Sequence, residues 1–157
     1  MSIEEDKNYL KRSIELARES VEKGGFPAGA LVVKDGKVIA EGISIGGVLH
    51  DPTSHGETAA IREACKILKT TNLEGAILYE SLQTCVMCFS VAYWAGISRI
   101  VSACRKTENM ATKGYYEGLT SVQEMNQVNN RKIELDYVLD YEQEMLEIIK
   151  NWEEKQK

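Results

Sequence analysis

Cys85-Val86-Met87-Cys88 places two thiols at positions i and i+3. At the start of a helix these lie on one face, so both sulfurs can reach a common point. The free N–H groups and positive dipole end there favour thiolates. Alone, the pair also reads as a redox dithiol or as two buried cysteines. Two thiolates leave a zinc ion short of ligands, so the chemistry turns on a third. The chain has only two histidines, and His55 heads another predicted helix with Glu57 two residues on. A lone histidine there is a cap or core residue as readily as a ligand. A His-x-Glu and a Cys-x-x-Cys thirty residues apart, both at helix starts, together describe a three-ligand metal site with a carboxylate that is not a ligand.

Several elements must position these groups. Leu10, Ile14, Ala17 and Val21 recur at helical intervals and predict an amphipathic helix over 5–22, ended by Gly24-Gly25 before Pro27. Ala30–Val33, the Asp35-Gly36 dipeptide and Lys37–Ala40 predict a hairpin. A polar loop over about 42–54 leads to His55, with Thr53 or Ser54 as the expected cap of the next helix, whose face carries Ala60, Ile61, Ala64 and Leu68. Ala76–Tyr79 and Ile97–Ala103 read as strands, and the uncharged run 85–95 as a helix buried on most sides. Residues 104–118 show no clear period and read as a functional loop. A short helix near 121–128, a strand at 132–139 and a terminal helix bearing Met145, Ile148, Ile149 and Trp152 on one face complete the pattern. A hairpin followed by alternating strands and helices predicts an α/β fold. It is a three-layer α/β/α sandwich on a central mixed five-stranded sheet, with 1–157 as a single domain.

Composition narrows the function classes. Apolar residues make up 43% and charged residues 27% of 157, which excludes a disordered or low-complexity chain. Nineteen basic against 24 acidic side chains leave −5, which argues against nucleic acid as a partner held through phosphate contacts. No apolar run reaches the ~20 residues of a membrane helix, so no membrane is expected. The acidic N-terminus lacks the features of a signal peptide. The expected location is the cytoplasm, where thiols stay reduced, and Cys65 and Cys104 are expected to be plain buried thiols.

The stretch Asp51-Pro52-Thr53-Ser54-His55-Gly56-Glu57, with Ala60-Ile61-Arg62-Glu63-Ala64-Cys65 and the Cys85/Cys88 pair, resembles the zinc-dependent cytidine deaminase superfamily. The likeness runs from about residue 10 to 103, on the side of cytosine, guanine and tRNA-adenosine deaminases, and is greatest to bacterial guanine deaminase-like proteins. It implies Zn²⁺ held by His55, Cys85 and Cys88, with a fourth position for water. Glu57 would carry that water's proton to the ring nitrogen and would next protonate the amino group so that ammonia leaves. The Cys85 N–H would serve the developing oxygen. The substrate-binding residues it implies are Phe26, Ser44, Gly56, Glu117 and Trp152, and it implies a homodimer.

Two positions depart from the family pattern. Thr84 stands where a proline precedes the first cysteine, and is expected to act as a helix cap instead. Ser44 stands where many relatives have an asparagine that bonds the base; a serine offers one donor, not an amide face. Glu117, after Tyr115-Tyr116, would accept N–H groups of an amino-heterocycle, and Trp152 would close over it; as alternatives, these are a solvated loop acid and a core aromatic. The expected function is hydrolytic deamination of a free nucleobase or related small-molecule amino-heterocycle, guanine-like by resemblance, releasing ammonia. Cytosine or amino-triazine deamination is the alternative. A tRNA-adenosine deaminase and a non-catalytic zinc-stabilised binding relative are further ones.

Overall fold

A computed structural model describes residues 2–157. Helix α1 (Ile3–Glu22) starts at Ser2, whose Oγ accepts from the Glu5 N–H at 3.2 Å. The chain then enters β1 (Phe26–Lys34) and β2 (Lys37–Ser44). Asp35 and Gly36 both take positive φ, 52° and 72°, as the tight hairpin expected of Asp-Gly requires. β1 is longer than its apolar core suggested and contains Pro27. The ladder to β2 shifts register between Phe26 and Gly29, so the missing proline donor falls in a bulge.

A short helix, α2 (Gly46–Leu49), precedes α3 (Gly56–Leu68), and β3 (Ile77–Glu80), α4 (Val86–Trp94) and β4 (Arg99–Ser102) follow. Beyond lie α5 (Glu108–Thr112), α6 (Val122–Val128), β5 (Glu134–Tyr137), a 3-10 turn at Leu139–Tyr141 and α7 (Glu142–Lys155). The sheet order is β2-β1-β3-β4-β5, with β1 antiparallel to both neighbours and β3, β4 and β5 parallel. Alternation along β1 divides the core: Leu31 and Val33 face Leu10 and Ile14 of α1 and Met145 of α7, while Ala30 and Val32 face Ala60 and Ile61 of α3 and Phe89 of α4. The expected mixed five-stranded α/β/α sandwich is thus observed. No helix among the described residues is long and apolar enough to cross a membrane.

Three local expectations are corrected. α4 is not buried on most sides: only Cys88, Phe89 and Ala92 are buried, and Trp94 is 80% exposed, because one chain covers a single face of it. The stretch 104–118 is not wholly irregular, since Thr107 caps the five-residue α5 through the Met110 N–H at 3.1 Å. The predicted caps Thr53, Ser54 and Thr84 are not the caps; His55 and Cys85 occupy those positions. The Thr53 and Ser54 hydroxyls turn instead to Asp51, at 2.7 and 3.1 Å.

Candidate active site

Register fixes where the chemistry sits. Phe26 pairs with Ser44, and Glu80 with Ser102, so the start of β1 and the ends of β2, β3 and β4 lie along one edge of the sheet. α3 reaches that edge by close backbone approach. A Cβ on Gly42 would lie 2.2 Å from the Gly56 carbonyl oxygen, and one on Gly56 would lie 3.2 Å from Gly29 Cα. Gly56 is therefore packed between helix and hairpin, outside the cavity wall.

His55 and Cys85 are the cap residues of α3 and α4, both with extended backbone, which points their side chains across the gap between the helices. His55 Nδ1 lies 3.5 Å from Cys85 Sγ, and the ligand atoms of His55, Cys85 and Cys88 all fall within 4.8 Å of one another. Cys85 Sγ accepts from the Cys88 N–H at 3.4 Å, and the Thr58 hydroxyl donates to Cys88 Sγ at 3.1 Å. Hydrogen bonding from Cys88 lowers the Cys85 thiol to about 5, helped by His55, whereas the same contact and burial drive Cys88 well up. The bond to Cys85 raises the His55 imidazole. Two convergent soft donors and an imidazole nitrogen fit a zinc ion with one coordination position to spare.

Glu57, in the first turn of α3, is buried with 5% exposure. Burial raises its carboxyl to about 7, with the charge on Cys85 adding to the rise. A carboxyl at that value can both take and give a proton near neutral pH.

His55, Glu57 and Cys85 form part of the wall of a cavity of about 680 Å³, with the fully buried Cys88 outside that wall. Phe26, Ser44, Glu117 and Trp152 also line it, so of the expected substrate-binding residues only Gly56 lies outside. Phe26, Tyr115 and Trp152 form a mutual aromatic cluster with centroids 5.1–5.9 Å apart. Tyr115 and Lys113 both bond Glu153, so the 113–117 segment is tied to α7. Glu117 is exposed, and its two oxygens accept from the Val86 and Met87 N–H groups of α4 at 3.2 and 3.1 Å. Burial pushes its carboxyl up, but these backbone donors outweigh that and hold it below the ordinary value. Each oxygen keeps a second lone pair for a ring N–H.

Sequence reasoning missed Tyr115, Tyr116, Gln83, Leu82 and Met87 as wall residues. The Tyr115-Tyr116 pair before Glu117 was the available signal. Nothing local marks Gln83, whose carbonyl accepts from Tyr116 Oη at 2.6 Å across 33 residues.

Residues 3–104 match the family model for the cytidine and deoxycytidylate deaminase zinc-binding region. A guanine deaminase of Bacillus subtilis is 45% identical over 101 residues, covering 64% of this chain and 65% of that protein. A tRNA-specific adenosine deaminase of Aquifex aeolicus is 39% identical over 93 residues, covering 59% of this chain and 62% of that protein. The matched segments thus span just under two thirds of these relatives. The solved structure of guanine deaminase from Bacillus subtilis superposes with a TM-score of 0.65 at 34% identity, covering 98% of this chain and 95% of that one. With that match, and with the His55, Glu57, Cys85 and Cys88 arrangement at the sheet edge, the chain belongs to the cytidine and deoxycytidylate deaminase family.

Proposed function

We propose that this deaminase hydrolyses a free nucleobase or related amino-heterocycle of guanine-like shape, releasing ammonia. The observation that carries the reading is the buried Glu57 carboxyl on the wall of one cavity with His55 and Cys85, whose ligand atoms converge with that of Cys88. These three residues would hold the zinc. When bound, zinc supplies the Lewis acidity that makes water a nucleophile near neutral pH.

Glu57 takes the proton from the attacking water and delivers it to the ring nitrogen. It then takes the proton of the hydroxyl added to the ring carbon and passes it to the amino group, so that ammonia departs and a ring carbonyl forms. Low exposure keeps bulk water from competing for that proton. The Cys85 N–H, at the head of α4, donates to the oxygen that develops on the ring carbon. Phe26 and Trp152 hold the ring by its faces and edges. Glu117 accepts its N–H groups, and Ser44, also on the cavity wall, adds one short donor.

The Aquifex relative favours a second reading, a tRNA adenosine as substrate. The net charge of −5 and the engagement of Lys113 with Glu153 beside the cavity weigh against a polyanionic partner. The reading places the protein in the cytoplasm as a homodimer of one-domain subunits, with the uncovered face of α4 as the contact.

Ammonia release by the zinc-loaded protein tests the proposal, using guanine, other aminopurines, cytosine, amino-triazines and an adenosine-bearing tRNA anticodon stem. Turnover of guanine or an aminopurine is expected. Turnover of the tRNA stem alone, or of none of them, overturns it.

A further inference from the structure

Glu80 is a carboxyl inside the sheet, with no exposed surface. It ends β3, two residues before the cavity-lining Leu82 and five before the first thiol ligand. Its Oε1 accepts two hydrogen bonds, from Ser102 Oγ at 2.6 Å and from the Thr84 N–H at 3.0 Å. Ser102 is its register partner on β4. Its Oε2 is buried and has no hydrogen-bond partner among the described residues. Leaving a charged oxygen buried and unpaired is costly, so this environment favours the neutral acid over the carboxylate. Burial, with the charge of Glu57 nearby, drives its carboxyl well above the ordinary range.

Thr84 is the residue before the cap of α4, and it is 2% exposed. A proline at that place has no N–H to satisfy. Threonine brings one into the interior, and Glu80 Oε1 is the acceptor that meets it. The same oxygen joins that N–H to the end of β4, so the turn that aims Cys85 is held to the sheet through one atom.

We propose that Glu80 is a positioning residue for the metal site: its buried carboxyl fixes the Thr84–Cys85 turn by accepting the Thr84 N–H, doing through a hydrogen bond what a proline would do through its ring. The inference rests on His55, Cys85 and Cys88 holding zinc. It concerns only how the turn bearing Cys85 is held.

The test is zinc affinity, measured by competition with a chromophoric chelator, set beside thermal melting of the same proteins. Glu80→Met keeps the volume but removes the acceptor, leaving the Thr84 N–H buried and unpaired. Its zinc affinity is expected to fall roughly 10- to 100-fold, the range for loss of a residue that orients a ligand. Adding Thr84→Pro removes the orphaned donor and is expected to recover most of that loss. Glu80→Gln keeps the acceptor for Thr84 and Ser102 while burying an unpaired amide. It is expected to melt lower than wild type yet bind zinc nearly as tightly. Cobalt substitution gives a second readout, since the thiolate-to-metal charge-transfer bands report the Cys85 geometry directly and should change in Glu80→Met alone.

Several results would overturn the inference. They are zinc affinity in Glu80→Met equal to wild type, affinity that merely tracks melting temperature across the three variants, or no recovery on adding Thr84→Pro. Should Glu80→Met fail to fold, the Glu80→Met/Thr84→Pro pair decides: an equally unfolded double variant counts against the idea. Wild-type protein that takes up no zinc overturns the metal-site reading itself, and the inference with it.

Discussion

Replacing Glu117 separates two jobs that the geometry gives to one carboxylate. Its oxygens meet the Val86 and Met87 N–H groups at 3.2 and 3.1 Å, two of the orphan donors in the first turn of α4. Hydrogen bonds to a charged group contribute about 1.5–3 kcal/mol each when buried. Glu117 is exposed, so solvent reduces the pair to about 1 kcal/mol, the usual effect of losing a helix cap. Glu117→Ala is therefore expected to lower the melting temperature by about 2–4 °C for a chain of this size. Glu117→Gln keeps one acceptor and should lose about half as much. Catalysis should respond differently, because a carboxylate accepts N–H groups from the ring at both oxygens and an amide at only one. Steady-state ammonia release on the best substrate should show kcat/KM reduced by roughly tenfold or more in both variants. Zinc content should stay at the wild-type level. If Glu117→Ala melts like wild type, the capping contribution is refuted; if Glu117→Gln turns over like wild type, so is the recognition role.

Arg99 offers a test of how the sheet is held to α1. Its guanidinium bonds both Asp6 oxygens at 2.9 Å and Asp136 at 2.6 Å, and Tyr79 Oη donates to Asp6 at 2.7 Å. Burial alone would raise the Asp6 carboxyl, but Arg99 and Tyr79 outweigh it and hold it below its usual 3.8. Arg99→Met leaves Asp6 without its cation and should cost about 3 kcal/mol at pH 7, roughly 6–12 °C in melting. The stabilisation from ionised Asp6 is complete above pH 3.8 and is lost as pH falls through its lowered value, so the gap to Arg99→Met should close in acid. A gap that stays constant from pH 7 to pH 3 would count against the pairing. Trp152→Ala removes an aromatic wall of the cavity 5.1 Å from Phe26 and 5.9 Å from Tyr115. KM should rise roughly tenfold, in line with the ~0.5–1.5 kcal/mol of each aromatic pair, with zinc content unchanged. An unaltered KM would show that Trp152 only packs α7.

Local sequence carries some of this architecture and not the rest. Asp35-Gly36 specifies the hairpin because few other dipeptides take positive φ twice. The 3.6 period of Leu10, Ile14 and Ala17 specifies α1 because all three are buried. Caps are less legible. Ser54 has the better capping chemistry, but His55 takes the position because its ring faces Cys85, a partner thirty residues away. The uncharged run of α4 signals apolar contact without saying whether the contact lies inside the chain, so Trp94 reads as core and is exposed. α5 has five residues, too few to display a period. The ligand spacing was legible because the metal chemistry constrains it, whereas the walls from Gln83 and Tyr115 depend on packing between distant segments. Glu80 had no signal at all: it follows the expected strand Ala76–Tyr79 and reads as a charged residue ending it, whereas the strand includes it.

The central claim is that Glu57 moves the proton while His55, Cys85 and Cys88 hold the metal, and one comparison tests it most directly. Zinc content and single-turnover ammonia release should be measured together on wild type and Glu57→Gln, with the best substrate of the panel. The account predicts equal zinc, about one ion per chain, and a rate lower by roughly 10²–10⁴-fold in Glu57→Gln, the span that general acid–base catalysis supplies. Undiminished turnover in Glu57→Gln with its zinc in place would contradict it.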